Sequence, residues 1–192
     1  MERRGRLPAR ALALALACLA LAPSPGCRPA AARRTTAPRG TIGVSLLALD
    51  NPFFKVIGDT IAAEGRKEGF DTILVSADKD VARQGHQIKD FLVAKVAAIV
   101  LSPCDSKSIV PVIREANAAG IPVFTVDIPC NEPGVSIVTQ VATDNEGGGR
   151  EAAKAMLEAL GPGGGKVAVL HFKQAESCQL RVKGFREVID AH

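Results

Sequence analysis

Three places in the sequence gather residue types suited to holding a polyhydroxylated molecule. Asn51-Pro52-Phe53-Phe54 follows a short apolar run, Ser102-Pro103-Cys104-Asp105 follows another, and Asp127 ends a third. Aromatic faces cover the C–H side of a sugar ring, a carboxylate accepts from two neighbouring hydroxyls, and an amide both donates and accepts. Each feature also has a plainer reading. Phe53 and Phe54 could be ordinary core residues, although neighbours on a helix point about 100° apart and one core rarely takes both. Asp127 could simply cap a turn.

The pattern around these residues predicts what positions them. Residues 41–47, 71–76, 97–102 and 121–127 are short, apolar and rich in β-branched side chains, and amphipathic stretches lie between them. The first helix runs from Pro52 to about Gly69, with Asn51 suited to its N-cap. The second covers 81–95, and the third starts at a cap on Asp105 or Ser106 and stops at Gly120. Strands apolar on both faces, alternating with helices, imply a parallel sheet in a doubly wound α/β layer. Ligands in such sheets sit beyond the carboxyl ends of the strands, which is where Asn51, Phe53, Phe54 and Asp127 fall. After an irregular stretch at 128–134, the pattern continues with a strand over 135–142 and a helix capped within Thr143-Asp144-Asn145. A strand over 166–171 and a helix over 177–190 complete it. Two such units cannot share a core without further strands. Residues 40–142 are therefore expected to form one nearly complete lobe, and 143–192 the opening of a second.

The first 27 residues read as an address. Arg3, Arg4, Arg6 and Arg10 precede an apolar stretch and then Pro23-Ser24-Pro25-Gly26-Cys27, the pattern of a secretory signal. The uncharged run at 11–23 is shorter than the ~18 residues a membrane-crossing helix requires. Gly26-Cys27 offers a lipoprotein junction, with lipid on Cys27, while Ala30-Ala31-Ala32 offers an ordinary cut; residues 28–39 read as a tether. The net charge of +4 comes mostly from this leader, because residue 28 onward holds 20 Lys and Arg against 19 Asp and Glu. No basic surface for nucleic acid is implied.

Other chemistries find little support. Gly147-Gly148-Gly149 and Gly161-Pro162-Gly163-Gly164-Gly165-Lys166 miss the phosphate-loop spacing, and no G-x-G-x-x-G follows the first strand. His86, His171 and His192 lack partners at metal-ligand spacing, and no G-x-S-x-G elbow is present. Neither metal, cofactor nor catalytic activity is expected. Cys104 and Cys130 both follow Pro at neighbouring strand ends; in an oxidising compartment they would pair and leave Cys178 over, the alternative being three free buried thiols.

Taken in order, Asn51-Pro-Phe-Phe54, Pro103-Cys-Asp105, Gly120-Ile-Pro-Val-Phe-Thr-Val-Asp127, Ala142-Thr-Asp-Asn145 and Arg181 followed by Gly184-Phe185 resemble the bacterial ribose-binding protein family of exported sugar receptors. The resemblance covers residues 40–192. It implies a monomeric two-lobed receptor in the periplasm or cell envelope that closes over a monosaccharide and delivers it to the membrane permease of an ABC importer. On the matching positions, Asn51, Phe53, Phe54 and Asp127 are first-lobe contacts, Asn145 lies near the crossover, and Arg181 is the second lobe's fork to ring hydroxyls. Ile128 stands where ribose binders carry Arg, which argues against ribose itself. The likeness further implies chain beyond His192 that completes the second lobe. Rival readings are an exported sensory receptor and a lactose-repressor-like effector core; the latter would require a basic helix-turn-helix in place of the apolar leader.

Overall fold

The computed structural model describes residues 37–192; the expected signal segment, Cys27 and most of the tether lie outside the described residues. The elements are β1 (Gly40–Leu46), α1 (Pro52–Lys67), β2 (Phe70–Ser76), α2 (Val81–Val93), β3 (Ala98–Leu101) and α3 (Val110–Ala118). β4 (Val123–Val126), β5 (Thr139–Val141), α4 (Asn145–Leu160) and α5 (Glu176–Ile189) follow. The five strands form one parallel sheet in the order β2-β1-β3-β4-β5. This is the expected α/β layer.

Alternation within the strands splits the core between the two faces of the sheet. Ile99 and Leu101 of β3 and Val123 of β4 pack with Ile88 and Phe91 of α2 and Ile113 of α3. Val44 and Leu46 of β1 pack instead with Phe54 of α1, joined by Ile57, Ile61, Leu74 and Val100. Burial on both faces is why these strands read as nearly continuous apolar runs. The helix starts follow local chemistry. Asn51 accepts from the Phe53 amide, Asp80 from that of Arg83 and Asp144 from that of Gly147.

Three expectations need correction. The third helix begins at Val110, because the Asp105 carboxylate accepts from the amides of Lys107 and Ser108 and so closes a separate turn ahead of it. The strand expected over 135–142 is only three residues long. Residues 133–136 are drawn toward α3 by Arg114 and Asn117, whose side chains donate to the carbonyls of Pro133, Gly134 and Ser136. Residues 166–171 form no strand: among the described residues none pairs with them, and an extended run without a ladder partner is not a sheet element. Leu170 in that run is 98% exposed.

α4 and α5 pack mainly on each other, with their backbones nearly touching. A Cβ on Gly149 would lie 2.1 Å from the Arg181 carbonyl oxygen, and one on Gly184 would lie 2.0 Å from that of Glu146. Only glycine permits this approach. Across the same seam Arg150 bonds Glu187 and Lys183 bonds Glu146, while Arg150 also bonds Glu146 within α4.

Candidate functional site

A cavity of about 290 Å³ opens at the carboxyl end of β4, between the sheet and the start of α5. Phe54, Asp127 and Arg181 all line it, so three of the six residues singled out from sequence converge there from three different elements.

Asp127 is placed by a tight turn. Its amide donates to the Val141 carbonyl at 2.8 Å, and the next amide, that of Ile128, donates back to the Val126 carbonyl, also at 2.8 Å. The residue enclosed by that i to i+2 bond carries φ +65, the left-handed form of the γ-turn and a conformation held only where the surroundings fix it. The carboxyl is half-buried. Burial pushes it above its usual range, and the Arg181 guanidinium opposes that effect. Phe54 is 5% exposed, and its ring meets that of Phe53 edge to face at 5.1 Å between centroids.

The remaining expected residues lie elsewhere. Phe53, half exposed at 51%, does not line the cavity. The side-chain oxygen of Asn51 is engaged at 3.0 Å by the Phe53 amide as the cap of α1. Asn145 is buried in the first turn of α4; its amide nitrogen donates to the Thr143 carbonyl, while its side-chain oxygen has no partner.

Sequence reasoning missed Lys79, Phe172, Ser177 and Cys178, and it assigned no lining role to Ile128. Phe172 was within reach, because it directly follows the run at 166–171 that reads as a strand. Lys79 was not. It occupies the β2–α2 turn at φ +64, where its amide donates to the Leu47 carbonyl, a pairing of segments distant in sequence.

Two hydrogen-bond networks hold this geometry. Gln84, fully buried, donates to the Ser102 carbonyl and the Ser45 hydroxyl and accepts from the Cys104 amide, tying the ends of β1 and β3 to α2. The second network sets the entry of α5. Ser106 accepts from the Glu176 amide and donates to the Pro129 carbonyl, while Asn131 donates to the Glu176 carboxylate from its side chain at 2.6 Å. The buried amide of Gln84, bonded at both its nitrogen and its oxygen, makes the first of these a rigid frame. Cys104 and Cys130, the candidate disulfide, are both buried and unbridged: Cys130 donates its thiol proton to the Ser106 carbonyl, and burial pushes the Cys104 thiol up to about 11. Cys178 is likewise unbridged but only partly buried. Among the described residues no group of three His, Cys, Asp or Glu side chains is placed to hold a metal ion, and no helix is long and apolar enough to cross a membrane.

Comparison with known proteins places this geometry in context. The ribose import binding protein of Bacillus subtilis is 36% identical over 151 residues, covering 78% of this chain and 48% of the relative. A D-apiose import binding protein of Paraburkholderia graminis is 32% identical over 181 residues, covering 94% and 55%. The chain thus spans about half the length of these relatives. Among solved structures, an ABC transporter solute-binding protein of Mycobacterium smegmatis with bound glycerol superposes with a TM-score of 0.72 at 28% identity, covering 80% of this chain and 52% of that one. An ABC sugar transporter subunit of Rhodobacter sphaeroides superposes with a TM-score of 0.73 at 26% identity, covering 81% and 54%. The family model described as a periplasmic binding protein domain matches residues 42–192, and the chain belongs to that family.

Proposed function

We propose that the chain binds a small sugar in the cavity at Asp127 and serves as the solute-binding component of an ABC-type importer. The observation that carries this reading is the convergence of an acid, a guanidinium and an aromatic ring on one cavity from separate elements. Asp127 accepts from adjacent ring hydroxyls and Arg181 donates to others, each charged hydrogen bond contributing about 1.5–3 kcal/mol. Phe54, joined by Phe172, covers the ring's C–H face. The volume suits a single ring. The named relatives import ribose or apiose and the glycerol-bound structure holds a polyol, so the ligand chemistry is consistent across them.

In this reading residues 40–142 are the first lobe, 143–192 begin the second, and the leader exports the protein to the periplasm or cell envelope, with Cys27 as the lipid-bearing residue if it is anchored. The partner is a membrane permease, and the protein performs no catalysis. Asn51 and Asn145 act indirectly, by fixing the starts of α1 and α4, and Phe53 buttresses Phe54. The test is thermal unfolding of the purified chain against a panel of pentoses and hexoses at millimolar concentration. At least one sugar raises the melting temperature, and Asp127→Ala abolishes the rise. No rise with any sugar, or an unchanged rise in the variant, overturns the reading.

A further inference from the structure

Among the described residues, four hydrogen bonds join α5 and the segment ahead of it to the loops of the sheet, and all four end on Ser106 or Asn131. The Ser106 amide donates to the Gln174 carbonyl at 3.1 Å, and the Glu176 amide donates to the Ser106 hydroxyl at 3.2 Å. The side-chain and backbone amides of Asn131 each donate to one carboxylate oxygen of Glu176, at 2.6 and 3.3 Å. The ion pairs of α5 run instead to α4 or along α5 itself.

Two features make this junction specific. First, α5 carries no cap of its own: Ala175 stands at the N-cap, where a helix ordinarily has a side chain that accepts from its orphan amides. The first amide of the helix is satisfied by buried Ser106, 70 residues earlier, so the start of α5 is completed only where it docks. Second, the direction in which Asn131 points is dictated from the sheet. The side-chain oxygen of Gln140 accepts from the Thr125 hydroxyl and the Cys130 amide, so its nitrogen must donate to the side-chain oxygen of Asn131. A backbone amide can only donate, and this order cannot be reversed. Asn131 is left presenting donors to α5, where only an acceptor fits, and the Glu176 carboxylate supplies it at a helix N-terminus that favours negative charge.

We infer that Ser106, Asn131 and Glu176 form a clasp that holds α5 against the sheet through the chain's own bonds, positioning Arg181 on the cavity it shares with Asp127 before a solute arrives. The close packing of α5 on α4 makes the clasp orient the two helices as one body. Neither Asn131 nor Glu176 lines the cavity, so both act through Arg181 and its neighbours on α5. The inference is independent of what the cavity holds, because a chain with an opened clasp populates the binding arrangement less and loses affinity for every ligand by the same factor.

The test is NMR spectroscopy of the purified chain without ligand. Residual dipolar couplings report the orientation of α4 and α5 against the sheet, and hydrogen exchange reports opening at the clasp. In the parent, the amides of the sheet and of the two helices fit one common orientation. In Asn131→Ala and in Glu176→Ala the couplings of α4 and α5 shrink to about half or less of those in the sheet. The amides of residues 106 and 176 exchange roughly tenfold faster or more in both variants, while that of Ile99, bonded to the Pro122 carbonyl, keeps its rate. The double variant changes no more than either single one, since the two side chains act as a unit. Should Glu176→Ala fail to fold, Asn131→Ala, in an exposed loop, decides alone. Two orientations already present in the parent, or one orientation kept in the folded variants, overturns the inference. So does exchange that quickens equally at residues 99, 106 and 176, which is a general loss of stability and not an opened clasp.

Discussion

The α4–α5 seam yields a prediction whose magnitude follows from its geometry. In Gly184→Ala the new Cβ would sit 2.0 Å from the Glu146 carbonyl oxygen and 2.8 Å from its carbon. Carbon and carbonyl oxygen tolerate about 3.3 Å, so the helices must part by more than an ångström. No rotamer change can absorb this, because the obstructing atoms are backbone. Overpacking of this kind costs about 1–3 kcal/mol, and the rigid obstacle argues for the upper end. Alanine's better helix propensity returns only about 1 kcal/mol. The net loss of roughly 2 kcal/mol corresponds to a fall in melting temperature of about 4–8 °C for a chain of this size. Gly148→Ala is the internal control, since a Cβ there meets nothing within 4 Å and should raise stability by about 0.5–1 kcal/mol. With no Trp and no Tyr in the sequence, far-UV circular dichroism is the natural probe. Because α5 carries Arg181 and Cys178 into the cavity, Gly184→Ala should weaken ligand binding as well. If Gly184→Ala and Gly148→Ala melt within 1 °C of each other, the close approach of the helices is wrong.

Two further outcomes follow from the site. Burial raises the Asp127 carboxyl's native pKa, so its favourable contribution is present below the ordinary value of 3.8 and is lost as pH rises through the native one. Asp127→Asn should therefore be more stable than the parent at pH 7, with the difference shrinking as pH falls; a difference constant with pH would refute the cause assigned here. Phe54→Ala should cost about 3–5 kcal/mol in urea unfolding, since the ring is 5% exposed, while Phe53→Ala, at 51% exposure, should cost less than about 1 kcal/mol. Equal costs would contradict the assignment of the two rings.

The sequence by itself determined the α/β layer, because a strand buried on both faces must be apolar throughout and its crossover helix must carry a single apolar stripe. It also located Asp127 and the phenylalanine pair at strand ends, since that rule needs only strand direction. It could not separate Phe53 from Phe54. Which ring turns inward depends on how α1 rotates against Leu46 and Leu74, a tertiary choice. The same holds for Asn51, equally suited to cap a helix or bind a ligand until its oxygen meets the Phe53 amide. Residues 166–171 have strand composition yet form none, because a strand exists only by pairing with a neighbour. Lys79, Asp127 and Arg181 are separated by scores of residues and share a cavity only once β2, β4 and α5 are docked. Local pattern reports which face of an element is buried; which distant side chains come to share a space is settled by packing, which no window along the chain contains.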